Sequence, residues 1–242
     1  MCIIRIKNNR YILQRMFSHR IHSPKHFIIK KDYHVIPFGH RCTSALACKY
    51  ATIRMVSLPF DWCNPLYPKK IQRVIENNFE DFIPDVHNGI FTNKYDFTLT
   101  HFDADTTNGV EQYKRRIDRF TQMMKETRTK YFVYINEDYL YDSGHREDAF
   151  NDKIFNEMLE LETFLKNRYL YMKYKVLYFN FKEHAIPADS NIINIVLSTT
   201  LPLYDTHDDA PYEELRKYCG KVLAELFNTS VLMGYDFQTF ND

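Results

Sequence analysis

The chain has 242 residues, 45% hydrophobic and 26% charged, the composition of a protein that buries a core, and disorder is not its expected main state. Its 32 Lys and Arg balance 31 Asp and Glu to a formal charge of +1, so no global field draws it to nucleic acid or to an anionic membrane. Five cysteines without a CxxC pair suggest neither a disulfide framework nor a structural zinc site, and 6 glycines, none spaced as GxGxxG or GxxxxGK, remove the common dinucleotide and triphosphate cradles.

Residues 1–31 carry Arg5, Lys7, Arg10, Arg15, Arg20, Lys25, Lys30 and Lys31 without one Asp or Glu. They read as a basic N-terminal extension, solvated rather than bound to nucleic acid or phospholipid, and expected to pack little against the rest; 32–242 reads as one α/β domain. Charges interrupt every apolar run of the N-terminal region, so no secretory core is expected. No stretch nears the roughly 20 apolar residues of a membrane span, and the cytoplasm is the expected compartment.

Residues 33–38 are short and β-prone, with Gly39 a sharp turn out of them. Thr43–Tyr50 suits a helix capped by Thr43 or Ser44, and 52–58 is strand-like up to Pro59. Pro68 opens a helix over 69–78, and 84–93 reads as loop. A strand is expected at 95–101, then a helix over 110–125 with Val110, Tyr113, Ile117, Phe120 and Met124 on one stripe. Strands at 131–135, 174–181 and 192–197 alternate with helices at 149–166 and 211–227. This alternation predicts a three-layer α/β domain, a mostly parallel sheet with helices on both faces in a Rossmann-like arrangement, with the strands at 95, 131 and 174 as neighbours.

The densest run of uncommon residues lies between Gly39 and Trp62: Gly39, His40, Arg41 and Cys42, then Arg54, Ser57, Pro59, Phe60, Asp61 and Trp62. A glycine three residues before a cysteine at a helix start, followed by an Arg and an S-x-P-F-D-W run, resembles the signature of a family of predicted papain-like cysteine peptidases of bacterial surface-polysaccharide gene clusters and large DNA viruses. His101 after a strand and the basic helix from Lys114 to Phe120 are similar to that family too, and the match spans roughly 33–225, with PFDW its most specific element. Pro37 departs from the pattern, since the family often carries a serine two residues before the glycine, and the basic extension is not shared. The resemblance implies a papain-like α+β fold as the alternative to the Rossmann-like sheet, a cysteine-peptidase activity and, for a viral member, the host cytoplasm.

Physical chemistry supports part of this independently. A thiol at the first turn of a helix faces unpaired N–H groups and the positive end of the helix dipole, which favour the thiolate; Arg41 and His40 are expected to add to the effect at Cys42. The same residue also suits a packing role on the face of Cys42, Ala45, Leu46 and Lys49. His101, at the carboxyl end of a predicted strand, is the candidate base, with Asp103 or Asp105 to orient it, or else these residues form a capped turn. Asp61 and Trp62 are candidate binding residues, with a turn under an aromatic lid as the other reading. Arg116, at the edge of its helix stripe, either reaches a carboxylate or phosphate along the surface or is simply solvated. Asn136 and Glu137 directly follow a strand, where they suit sugar hydroxyls, a metal or helix capping. No metal and no cofactor are expected.

Three functions remain open. One is a thiol hydrolase in which Cys42 attacks an amide, ester or isopeptide bond, His101 carries the proton and Asp103 orients His101. Another is a glycan-related transferase or hydrolase that uses Asp61, Glu137 or Arg116. A third is a non-catalytic interaction protein. A protein or a glycan is the expected substrate or partner.

Overall fold

The computed structural model describes residues 17–23, 29, 32–84, 92–99, 107–140, 146–200 and 210–228. Seven strands and five helices lie within them: β1 (Phe17–His22), β2 (Tyr33–Pro37), α1 (Thr43–Tyr50), β3 (Cys63–Asn64), α2 (Pro68–Glu76), β4 (Thr98–Leu99), α3 (Thr107–Lys125), β5 (Thr129–Ile135), α4 (Asp148–Arg168), β6 (Tyr174–Asn180), β7 (Ile192–Thr199) and α5 (Ala210–Phe227). The fold is α/β with a mixed five-stranded sheet in the order β1-β7-β6-β5-β2. The pairs β2–β5, β5–β6 and β6–β7 are parallel, and β1 joins β7 antiparallel. After residue 95 the described strands β5, β6 and β7 pair side by side in parallel, with no separate antiparallel barrel among the described residues.

Alternation along the strands sends neighbouring side chains to two separate cores. Val35, Tyr131, Val133, Ile135, Leu177, Phe179, Ile193, Ile195 and Leu197 pack with Ala47 and Cys48 of α1 and with Leu215, Cys219, Val222 and Leu223 of α5. Ile36, Phe132, Tyr134, Val176, Tyr178 and Ile192 instead join Ile71 and Val74 of α2, Tyr113 and Phe120 of α3, and Phe155, Met158 and Leu161 of α4. The near-continuous apolar run of β5 is what a strand buried on both sides needs. Pro37, which lacks an N–H, is tolerated because β2 is an edge strand.

Three expectations change. Phe17–His22, inside the segment expected to pack little, is an edge strand whose Phe17 is buried against the ring of Tyr218; residues 1–16 lie outside the described residues. The strand expected over 52–58 does not form. Thr52 takes φ 57, and the N–H groups of Ile53 and Arg54 both turn back onto Cys48 O at 3.0 and 3.2 Å. Of the strand expected over 95–101, residues 95–97 do not form one, Thr98–Leu99 pairs with Cys63–Asn64 outside the main sheet, and 100–101 lie outside the described residues. Asn93 is the cause, since its carboxamide oxygen and its carbonyl accept from Tyr95 N and Asp96 N at 2.9 and 3.1 Å and fold the chain into a turn there.

Candidate functional site

The carboxyl ends of β2 and β5 stand side by side and set the start of α1. Phe38 N continues the ladder onto Val133 O at 2.8 Å, after which Gly39 turns at φ 95. A Cβ there would approach Leu66 Cδ2 at 3.0 Å, so both the backbone angle and the space call for glycine. Gly39 O accepts from Ile135 N at 3.2 Å and from the Ser44 hydroxyl, and Ser44 Oγ in turn accepts from Ile135 N at 3.0 Å. The loop from Gly39 to Cys42 is thereby tied to the end of β5.

Cys42, not Thr43 or Ser44, occupies the N-cap of α1; its carbonyl accepts from Leu46 N at 2.9 Å, and no side chain caps the helix. The two hydroxyls expected to cap are used elsewhere, Ser44 on Gly39 O and Thr43 on the buried Glu137 carboxylate. Arg41 Nε stands 3.4 Å from the other Glu137 oxygen, an ion pair across the gap between the two strand ends. Arg216, from α5, donates its Nε to Thr43 Oγ1 at 3.2 Å. Burial raises the Glu137 carboxyl above its usual range, against the pull of Arg216, His40, Arg41 and the Thr43 hydroxyl.

A second buried pair adjoins the first. His40 Nε2 lies 3.0 Å from Asp138 Oδ1, although neither ring nitrogen makes an aligned hydrogen bond. Tyr67 donates to Asp138 Oδ2 at 2.8 Å and sets its ring 5.0 Å from the imidazole.

The thiol at the head of this cluster differs from the expectation. Burial pushes Cys42 up to about 11; Arg216 pulls it down, Glu137 raises it further, and its own backbone N–H and Arg41 lower it less. Arg41 acts in the anticipated direction, joined by Arg216, which was not anticipated, but the loss of water outweighs both. A thiol raised in this way favours its protonated form at neutral pH, so any nucleophilic role would need a base to take its proton.

Asp61 and Arg116 belong to a different cluster, at the far end of α1 around Cys48. Asp61 Oδ2 accepts from Arg54 Nη2 at 2.7 Å, Arg54 Nε at 3.3 Å and Leu58 N at 2.9 Å, and Arg54 also donates to Ser57 Oγ at 2.9 Å. Cys48 lies six residue steps after Cys42, about 9 Å along the helix axis. Burial raises the Asp61 carboxyl, and Arg54, the Leu58 N–H and Arg116 oppose it. Arg116 is buried instead of reaching along the surface, with its guanidinium carbon 4.8 Å from the Tyr113 ring centre, because Asp61 offers it an opposite charge inside. Trp62 is half-buried, 5.8 Å from the Arg54 guanidinium, and the R-x-x-S-x-P-F-D-W run as a whole is a loop closed on its own ion pair.

Asn136 is buried at the end of β5, where its backbone N–H bonds Phe179 O at 2.9 Å while its carboxamide makes no hydrogen bond. His101 and Asp103 lie outside the described residues, as does Asp105. Among the described residues no three His, Cys, Asp or Glu side chains converge to hold a metal. The residue that sequence reasoning missed is Arg216, 173 positions from its partner Thr43. One signal existed, a glycine inside a helix: a Cβ on Gly220 would meet Tyr50 Cβ at 2.6 Å and Ala47 O at 3.1 Å, so α5 rests directly on α1 one turn after Arg216.

Compared with protein-family models, curated proteins and solved structures, the chain matches none.

Proposed function

We propose that the chain is a thiol hydrolase or acyl transferase with Cys42 as nucleophile, of the predicted papain-like cysteine peptidase kind, on a three-layer, Rossmann-like scaffold. One observation carries the reading: among the described cysteines Cys42 alone is not buried, and it stands at a helix start beside charged groups, whereas Cys48, Cys63 and Cys219 are enclosed. Sγ attacks the carbonyl carbon of an amide or ester, and a C–S bond forms while the thiol proton passes to a base. The bond to the leaving amine or alcohol then breaks, and that group departs with the proton. Water attacks the thioester, gives a proton to the same base and restores the thiol. His101 is the proposed base and Asp103 its orienting carboxylate. The first N–H groups of α1, which an α-helix leaves without intrahelical acceptors, are the proposed donors to the oxyanion.

Reaction with p-nitrophenyl acetate tests this. A burst of one nitrophenolate per chain, lost in Cys42→Ala and slowed in His101→Ala, is the expected result. Steady release without a burst, unchanged by Cys42→Ala, would overturn the reading.

A glycan-related transferase is the second reading. It is favoured by the position of Arg41, Asn136 and Glu137 just beyond the carboxyl ends of parallel strands, where open α/β sheets hold ligands. A rise in melting temperature with uridine or guanosine diphosphate, unaffected by Cys42→Ala, would put it first.

A further inference from the structure

We propose that Arg216 binds an anionic group of the substrate, a carboxylate or a phosphate, and so restricts the reaction at Cys42 to negatively charged acyl compounds. The proposal rests on the reading of Cys42 as a nucleophile.

Its basis is a difference between the two arginines of the site. Arg41 faces Glu137, with Nε and Oε1 3.4 Å apart. Arg216 has no carboxylate within 4.0 Å among the described residues, although the buried Glu137 carboxylate is near enough for the two charges to act on one another; its guanidinium makes one hydrogen bond, from Nε to Thr43 Oγ1 at 3.2 Å, and its carbon stands 6.0 Å from the Tyr212 ring centre. The nearby acids are otherwise engaged. Glu137 holds Thr43 and Arg41, and Glu213 accepts from Tyr50 at 2.5 Å and faces Lys217 at 3.3 Å. A single bond from Nε leaves the outer edge of the guanidinium, the two Nη groups, as a planar fork suited to two oxygens of one anion.

The fork is held in place. Gly220 lets α5 touch α1 at Ala47 and Tyr50, and Arg216 precedes it by four residues on the same helix face. Thr43, which receives Arg216, is the residue after Cys42 and the first of α1, so an anion on the fork also meets the positive end of that helix. Arg216 is half-buried, enough to weaken screening by solvent and still reachable. It is also the charge that does most to hold the Cys42 thiol down, which places its field at the sulfur.

Two reagents with the same reactive carbon separate the possibilities: iodoacetate, an anion, and neutral iodoacetamide. Labelling of Cys42 in the full chain is followed by peptide mass spectrometry, and the ratio of the two rates is compared with the ratio at Cys42 in urea. The folded chain should favour iodoacetate by about fivefold over the unfolded chain, the effect of one nearby positive charge, and more weakly at high salt. Arg216→Gln should bring the ratio to the unfolded value, and Arg216→Lys, which keeps the charge without the fork, should retain part of it. A folded ratio equal to the unfolded one, or a ratio kept in Arg216→Gln, would overturn the proposal while leaving Cys42 as a nucleophile. Failure of both reagents to label folded Cys42 would instead remove the nucleophile, and the substrate proposal with it.

Discussion

Helix α1 begins and ends beside a buried carboxylate flanked by two arginines, and the two ends are arranged differently. At its carboxyl end Asp61 is bound by Arg54, Ser57 accepts from the same guanidinium, and the Leu58 N–H completes a loop whose members stand within seven residues of each other. The nearest thiols there, Cys48 and Cys63, are enclosed, and burial raises both strongly. At the amino end Glu137 gathers groups from distant parts of the chain, Arg41 after β2, Thr43 of α1 and, through Thr43, Arg216 of α5. Its thiol is half-buried, and one of its arginines, Arg216, acts on Glu137 only from beyond ion-pair distance among the described residues. A local ion pair whose charges answer one another is a fastening of the fold. A long-range cluster with one cation held beyond ion-pair distance of its carboxylate is what the proposed anion site requires, and the cost of assembling it is met by the sheet and helices around it.

The contrast predicts unequal losses. Asp61→Asn should cost the most stability, about 3–5 kcal/mol, because Arg54 loses its carboxylate and the buried Arg116 loses a nearby opposite charge. Urea unfolding measures this, and a loss under about 1 kcal/mol would put Asp61 among solvated surface pairs and remove the distinction. Gly220→Ala comes next, at about 1–3 kcal/mol, since the new methyl must displace Tyr50 Cβ or the Ala47 carbonyl. It should also pull Arg216 from Thr43 and lower the preference of Cys42 for iodoacetate, an effect Asp61→Asn should not have. Glu137→Gln should cost about 1–2 kcal/mol at neutral pH, as Thr43 keeps an acceptor and the part-exposed Arg41 keeps some water.

The pH dependence of that last loss has a definite sign. The folded pKa of Glu137 is raised above its ordinary 4.5, so the folded protein binds the extra proton first. Wild-type stability relative to Glu137→Gln therefore grows as pH falls from neutrality toward 4.5 and declines as pH rises. Paired urea titrations at pH 7 and pH 5 would read it, and a difference that shrank on acidification would contradict a carboxyl destabilised by burial.

Much of the framework was legible because it follows from burial. The apolar runs of β5, β6 and β7, the stripe of α3 and the proline opening α2 each report a local need that the fold meets where expected. The sequence signal failed where backbone capping by a neighbour outweighed β propensity, at Thr52 and at Asn93, and where a basic composition concealed Phe17, whose aromatic ring anchors an edge strand. At the candidate site, the sequence places Cys42 at a helix start and Glu137 just after a strand, and the structure has both there. Arg116 was misplaced because an amphipathic wheel does not record a buried partner such as Asp61. The raised Cys42 thiol and the place of Arg216 beside it were out of reach for one reason: both depend on how closely α5 covers α1, a contact between segments more than 160 residues apart, as the Tyr50–Glu213 hydrogen bond shows.

The smallest expected effect separates the two ends of α1 most cleanly. Alkylation of Cys42 by iodoacetamide should rise with pH toward a thiol near 11, more slowly at pH 9 than in the unfolded chain. Removing the charge that lowers this thiol most, with Arg216→Gln, should slow the reaction at pH 9. Removing the nearby carboxylate that raises it, with Glu137→Gln, should quicken it, so two members of one cluster act with opposite signs. Asp61→Asn, beside the other end of the helix, where Cys48 stands about 9 Å along the axis from Cys42, should leave the rate within error of wild type. Rates measured by mass spectrometry on variants first shown to be folded at pH 9 decide this. A common shift in all three variants would mean that Cys42 responds to general loosening of α1 rather than to the charges beside it, and the amino-terminal cluster would then be a second fastening like the one at Asp61.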